Sequence, residues 1–172
     1  NTVEGIKHVQ ATATKAGIIR TAEDFEGVVV KGVGEDYDWS YFKDFLVEGK
    51  LPDYSSNLND EVLISRYLAD RLHLNIGDRA PTYFVREGRD RPFVRGFKIV
   101  GIYDSGFQDF DELYVIADIR HVQKLNAWED NEVGSFEIFI DDFDKLDEKW
   151  NEVYLNTGSF LDAQHIGQKY YN

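Results

Sequence analysis

The sequence predicts an α+β fold, and three observations carry that expectation. Alternating or continuous apolar runs, read as strands, are interspersed with short amphipathic segments read as helices. Their succession has no regular strand–helix–strand rhythm, which sets aside a doubly wound parallel sheet. Of the 172 residues, 42% are apolar and 15% aromatic, enough to bury a core in about one domain. No repeat or low-complexity linker divides the chain.

Residues 7–19 (KHVQATATKAGII) alternate, with Val9, Ala11 and Ala13 on one side and His8, Gln10, Thr12 and Thr14 on the other. That period of two predicts a long half-exposed strand. A polar turn at 21–24 leads into 27–33 (GVVVKGV), read as a buried strand. Asp36 or Asp38 is placed to cap a short helix to about Leu46, and 49–53 with Pro52 breaks it. Residues 61–64 (EVLI) form a short strand feeding Ser65, the N-cap of a helix that turns Leu68, Leu72 and Leu74 inward. Asn75 to Gly77 ends that helix.

Strands at 78–85 and 93–103 flank the polar loop 86–92 (REGRDRP), a hairpin with a connection longer than two residues. Residues 113–117 (LYVIA) read as a buried strand, with Asp118 capping a helix to about Asn126. Residues 134–140 (GSFEIFI) alternate again as a strand. Asp142 or Asp144 then opens an amphipathic helix with Leu146, Trp150, Val153 and Tyr154 on one face. Residues 159–172 fit no single pattern.

Nineteen basic against 32 acidic side chains give a net charge of −13. The charge is unevenly spread: residues 1–103 hold 16 acids and 14 bases (−2), residues 104–172 hold 16 and 5 (−11). Nucleic acid and anionic lipid headgroups are therefore poor partners, since both would be repelled. The absence of cysteine excludes disulfides, thiolate metal sites and thiol chemistry. No apolar run reaches the roughly 18 residues a membrane-spanning helix requires, and no signal-peptide pattern opens the chain. It starts at Asn1 and lacks methionine, the expectation for a piece of a longer polypeptide.

The familiar chemical motifs fail one by one. Gly32 and Gly34 leave a strand as a dinucleotide loop would, but a third glycine is missing and Glu35, Asp36 and Asp38 would repel a pyrophosphate. His8, His73, His121 and His165 lack the close spacing of zinc ligands. The acid clusters 109–112 and 141–144 do not follow a calcium loop and read as turn and cap carboxylates. Ser105, Ser135 and Ser159 sit near glycines without a nucleophile elbow. The expectation is a protein with no catalytic residue, metal or cofactor. The rival of a different class is an acidic secreted hydrolase using a carboxylate pair, which 32 acids could always supply.

One local feature runs against the net charge. Arg86, Arg89, Arg91, Arg95 and Lys98 face only Glu87 and Asp90 across 86–98. This reads either as an exposed turn kept soluble by charge or as an arginine-rich finger that meets an acidic or polar partner. Arg86, Arg89, Arg91 and Arg95 are the candidate partner-binding residues.

Four blocks occur in order: GVVVKGV (27–33), LVEGKLP (46–52), EVLISRYLADRLHLNIGDR (61–79) and FKIVGIYDSGFQDFDELYVIADIRHVQKL (97–125). The ordered set resembles the periplasmic core domain, MacB-like or FtsX-like, of ABC transporter permeases, most closely the lipoprotein-releasing-system permeases. Ile64, Leu68, Ala69, Leu72, Leu74, Gly77 and Asp78 fill one block of that family's pattern. Val100, Gly101, Ile102, Gly106 and Asp111 fill the other, and the likeness spans roughly residues 18–155.

The resemblance implies a non-catalytic extracytoplasmic domain that transmits ATP-driven motion to a substrate or partner. It would lie in the periplasm of a Gram-negative bacterium, as part of an inner-membrane protein. Its partners would be the ATP-binding subunit and the transmembrane helices of one transporter, in a dimeric permease, with a periplasmic lipoprotein carrier or a membrane-fusion protein beyond. The family's two-part architecture would map residues 1–33 and 134–172 to a porter-like membrane-proximal subdomain. Residues 34–133 would then be the inserted Sabre-like lobe, and the loop 86–92 would stand where some members engage a lipoprotein carrier. The alternative within the family is a tripartite exporter permease for drugs or peptides; a third possibility is a regulatory module like those that couple division permeases to cell-wall hydrolases.

Overall fold

In a computed structural model the described residues are 6–86, 88–128, 135–140 and 162–165. The long N-terminal strand β1 (Ile6–Arg20) is rich in Thr, Ala and Ile, and it reverses at a turn closed by Thr21. The Thr21 amide donates to Asp24 O (2.8 Å), and the Thr21 hydroxyl oxygen accepts from the Asp24 amide (3.1 Å). β2 (Phe25–Val33) returns antiparallel, in register from Arg20 opposite Phe25 to Thr12 opposite Val33.

β3 (Leu46–Gly49), β4 (Glu61–Ser65), β5 (Arg79–Phe84), β6 (Phe93–Tyr103), β7 (Tyr114–Asp118), β8 (Ser135–Ile140) and β9 (Asp162–His165) complete a single nine-stranded mixed sheet. The pairings β2–β7–β4–β6–β5–β1 close on themselves, because β1 also pairs with β2. Three pairs (β2–β7, β4–β6, β8–β9) are parallel and the rest antiparallel. The parallel pairs β2–β7 and β4–β6 need crossovers, which run through described helical segments, α2 among them. β3 is an extra strand on β6, and β8 and β9 extend the sheet from the first half of β1.

All six strands of this ring send apolar side chains to one shared core. Ile19, Val28, Ile64, Phe84, Phe97 and Val115 belong to it, joined by Leu68 and Leu72 from α2 (Arg66–Leu72) and Val122 and Leu125 from α4 (Ile119–Trp128). Gly32 lies under α4, where a Cβ would come within 2.6 Å of the Ile119 Cα. The strand-exit glycine that superficially suggested a nucleotide loop is a helix-packing position. A second, largely aromatic cluster covers the opposite face: Tyr37, Phe42, Tyr54, Tyr103 and Phe110 around Leu63 and Ile116.

A bulge explains how β6 serves both clusters. Val62 pairs with Ile99 but Leu63 with Gly101, so Val100 is the extra residue. Phe97 and Ile99 face the first core; after the bulge Ile102 still faces it and Tyr103 turns to the second. Without the inserted residue, strict alternation would send Ile102 to the other side.

Ser65 caps α2 as expected, its hydroxyl oxygen accepting from the Leu68 amide (3.1 Å) and its proton going to Asp111 O (2.5 Å). Three local readings are corrected. The helix after Asp38 is a single turn, α1 (Ser40–Lys43), and Leu46 already belongs to β3. α2 ends at Leu72, with His73 rather than Asn75 to Gly77 supplying the left-handed cap (φ 54°). A further turn of helix, α3 (Gln108–Asp111), occupies the stretch read as turn carboxylates. The helix expected after Asp142 lies outside the described residues, as does most of 159–172.

Candidate partner-binding hairpin

β5 and β6 pair from Arg79 opposite Lys98 to Phe84 opposite Phe93, and the chain crosses between them through residues 85–92. Alternation gives the hairpin two chemically different faces. Ala80, Thr82, Phe84, Phe93 and Phe97 point to the core side. Arg79, Pro81, Tyr83, Val94, Gly96 and Lys98 point outward.

The four candidate arginines divide accordingly. Arg95 shares the core-side face with Phe93 and Phe97, half-buried, and donates from Nη1 to Val94 O (3.1 Å). Arg86 lies over the Phe93 ring, its guanidinium carbon 4.1 Å from the ring centre, a cation–π contact that covers one face of the cation. Arg89 and Arg91 are exposed at the tip, where the Arg89 amide closes a turn onto Arg86 O (3.2 Å) and Gly88 adopts φ 69°. The tip therefore presents two exposed arginines, with Arg86 set back against an aromatic ring.

Sequence reasoning missed a polar junction beside the hairpin. Asp118, fully buried, caps α4 through the Arg120 amide (3.0 Å). It also accepts Arg120 Nε and Nη2 at 2.7–3.1 Å. The same guanidinium donates to Ser56 O (2.7 Å) and Tyr54 O (3.3 Å), so one arginine staples the segment before β4 to the start of α4. The only sequence signal was an acid two residues ahead of an arginine at a helix start.

His121 completes the junction. Its Nε2–H donates to Asn59 O (2.8 Å) and lies 3.3 Å from Asp60 Oδ1, its ring meets Phe97 edge-on, and Nδ1 has no partner among the described residues. Burial lowers its pKa; the Arg95 charge lowers it further, against the opposing pull of Asn59 O, Asp60 and Asp118. Folding thus excludes a proton that the unfolded histidine accepts below its ordinary value of 6.5. Stability is expected to be full above that pH and to fall as pH drops through 6.5, by up to about 1.4 kcal/mol per pH unit. Urea melts from pH 8 to 5.5 should show this slope in the native chain and a flatter one in His121→Gln. Equal slopes would remove His121 as its source.

Of the remaining sequence candidates, those described serve structural roles. His73 is the α2 cap, while the side chains of His8 and His165 lie outside the described residues. Among the described residues no group of three or more His, Asp or Glu could hold a metal. Asp111 and Asp104 are neighbours, and burial first, then Asp104, raises the Asp111 pKa. Both Asp111 oxygens are engaged by Ser105, which donates from its amide (3.2 and 3.3 Å) and hydroxyl (2.5 Å). This carboxylate pair locks a turn. Ser135 has only its backbone described, and Ser159 and 141–144 lie outside the described residues.

No protein-family model matches the chain, and no curated protein matches it. Among solved structures, it is similar to the extracellular domain of YknZ, a noncanonical ABC-type transporter from Gram-positive bacteria. The TM-score is 0.58 at 16% identity, over 86% of this chain and 72% of that one. A domain of a Porphyromonas gingivalis protein designated a permease gives a TM-score of 0.46 at 16% identity, over 91% of this chain and 67% of that one. The first likeness establishes a shared α+β fold. The second, at that score, carries no argument.

Proposed function

We propose that this chain is the extracytoplasmic domain of an ABC transporter permease. The observation that carries the reading is the fold shared with the YknZ extracellular domain, found for a chain whose four sequence blocks resemble permease core domains in the same order. Among the described residues no helix is long and apolar enough to cross a membrane. The domain works without chemistry of its own, passing ATP-driven movement of the membrane helices to a partner outside the membrane. Its partners are the ATP-binding subunit and a second permease.

Within this reading we assign residues 1–33 and 134–172 to a membrane-proximal, porter-like part and 34–133 to a Sabre-like lobe. β1 touches both, since residues 6–12 pair with β8 while Ile18 and Ile19 pair with Tyr83 and Thr82 of β5. A long antiparallel strand is stiff enough to carry displacement between them. The finer assignment is lipoprotein release in a Gram-negative inner membrane, with the hairpin meeting a periplasmic lipoprotein carrier. Five basic against two acidic side chains at 86–98 support an acidic partner there.

The general reading is tested by tagging the full-length gene product: a membrane protein that co-purifies with an ATPase subunit is expected, and a soluble polypeptide purifying alone overturns it. For the hairpin, Arg89→Glu with Arg91→Glu is expected to weaken carrier capture at least tenfold with the melting temperature unchanged, because both side chains are exposed. Undiminished capture would remove the hairpin from the interface. Capture of a membrane-fusion protein in place of a carrier would favour the exporter reading.

A further inference from the structure

The outward face of β1, β5 and β6 is built in rows. Ile18, Tyr83 and Val94 stand opposite one another across the three strands, an apolar row with Ile18 and Val94 40% and 46% exposed. Next comes Pro81 opposite Gly96, a nearly flat floor, and then Arg79 opposite Lys98, a basic row. Like charges directly opposite each other weaken a strand pair, and here Asp60, 3.3 Å from Arg79, offsets that repulsion. Gly96 has nothing within 4 Å of where a Cβ would stand, so packing does not demand glycine there. Its bare backbone instead lets Arg79 Nη1 lie over the strand and donate to Gly96 O (2.8 Å).

At this end a groove of about 460 Å³ opens between the β1–β2 turn and the start of β5, within the range of ligand pockets. Pro81, Leu74 and the Tyr83 ring supply apolar lining; Arg20, Arg79 and Asp78 supply the charges. Asp78 Oδ2 is held by the Asn75 amide (2.9 Å), and Arg79 is shared with Asp60 (3.3 Å). Arg20 and Arg79 supply two cations, partly offset by Asp78 and by Asp60 beside Arg79, a balance that suits a single negative charge better than a phosphate dianion.

We propose that this groove binds the carboxylate end of an extended apolar peptide. The carboxylate lies between Arg20 and Arg79, and the preceding side chains run along Pro81 and Gly96 to the row of Ile18, Tyr83 and Val94. From Arg79 to Tyr83 is four residues of strand, about 13 Å, the length of three to four residues of an extended peptide. An elongated occupant is favoured because the apolar row continues the groove beyond its mouth. The proposal concerns the chain itself and stands or falls independently of the transporter reading.

The test is calorimetric titration of the 172-residue chain with an acetylated tetrapeptide of leucine, valine, leucine and alanine, as the free acid and as the C-terminal amide. The free acid is expected to bind about tenfold or more tightly than the amide, and Arg20→Gln, a change at an exposed side chain, to abolish that difference. Gly96→Gln, which fills the floor without a clash, is expected to weaken the acid as much. Equal affinity for acid and amide, no heat at millimolar peptide, or an unchanged Arg20→Gln would overturn the proposal. So would displacement of the peptide by equimolar inorganic phosphate, which would make the groove a phosphate site.

Discussion

Arg120→Ala is expected to destabilise the folded chain by about 3 kcal/mol, more than Asp118→Ala and more than the double variant. The asymmetry comes from burial. The Asp118 side chain is fully buried while that of Arg120 is 36% exposed, so removing the arginine strands a carboxylate and removing the aspartate frees a cation that can reach water. Two backbone carbonyl contacts add to the loss, because Arg120 also holds Ser56 O and Tyr54 O. Urea denaturation of the two single variants and the double completes the cycle. An Arg120→Ala cost below that of Asp118→Ala would mean that water screens the pair.

The second large effect is expected at Gly101. A Cβ there would fall 2.3 Å from Lys50 O and 2.8 Å from Leu63 Cδ2. The first is backbone at the end of β3 and cannot swing aside. Gly101→Ala should therefore cost about 3 kcal/mol, or roughly 6–12 °C in Tm, by prising β3 from β6. Gly96→Ala, five residues earlier on the same strand, has open space and should leave Tm within a degree or two. A thermal melt of Gly101→Ala indistinguishable from native would refute the close-packing account.

These two positions mark what the sequence could and could not disclose. Local chemistry was legible: the alternation of β1, the Ser65 cap, the 86–92 loop and the Asp118 cap each follow from a few neighbouring residues. Gly101 stood out within a resembling block, but its reason lies at Lys50, fifty-one residues away, and no local pattern announces that contact. The same limit hid β3, which is only four residues long and owes its strand character to pairing with β6. Nor could ring closure be read from the chain, because β1 alternates identically whether it has one partner or three.

The candidate site was half legible for the same reason. Composition marked the cluster of arginines, but strand register decided that Arg95 shares a face with Phe97 while Arg89 and Arg91 stand clear at the tip. The outward row of Ile18, Tyr83 and Val94 joins residues from three separate stretches. It exists only once β1 and β5 have met.

Closure of the strands also governs how the protein behaves toward copies of itself. A sheet that ends in open strands offers templates for unwanted pairing, the usual route to aggregates. Here only β3 and β9 pair on one side alone among the described strands, and each is four residues long. β3 is further guarded by Glu48, bound to Arg66 (2.7 Å), and by the left-handed Gly49, which stops it from extending. The open β3 edge is thereby a poor template for pairing with a second copy, even where many copies crowd one surface.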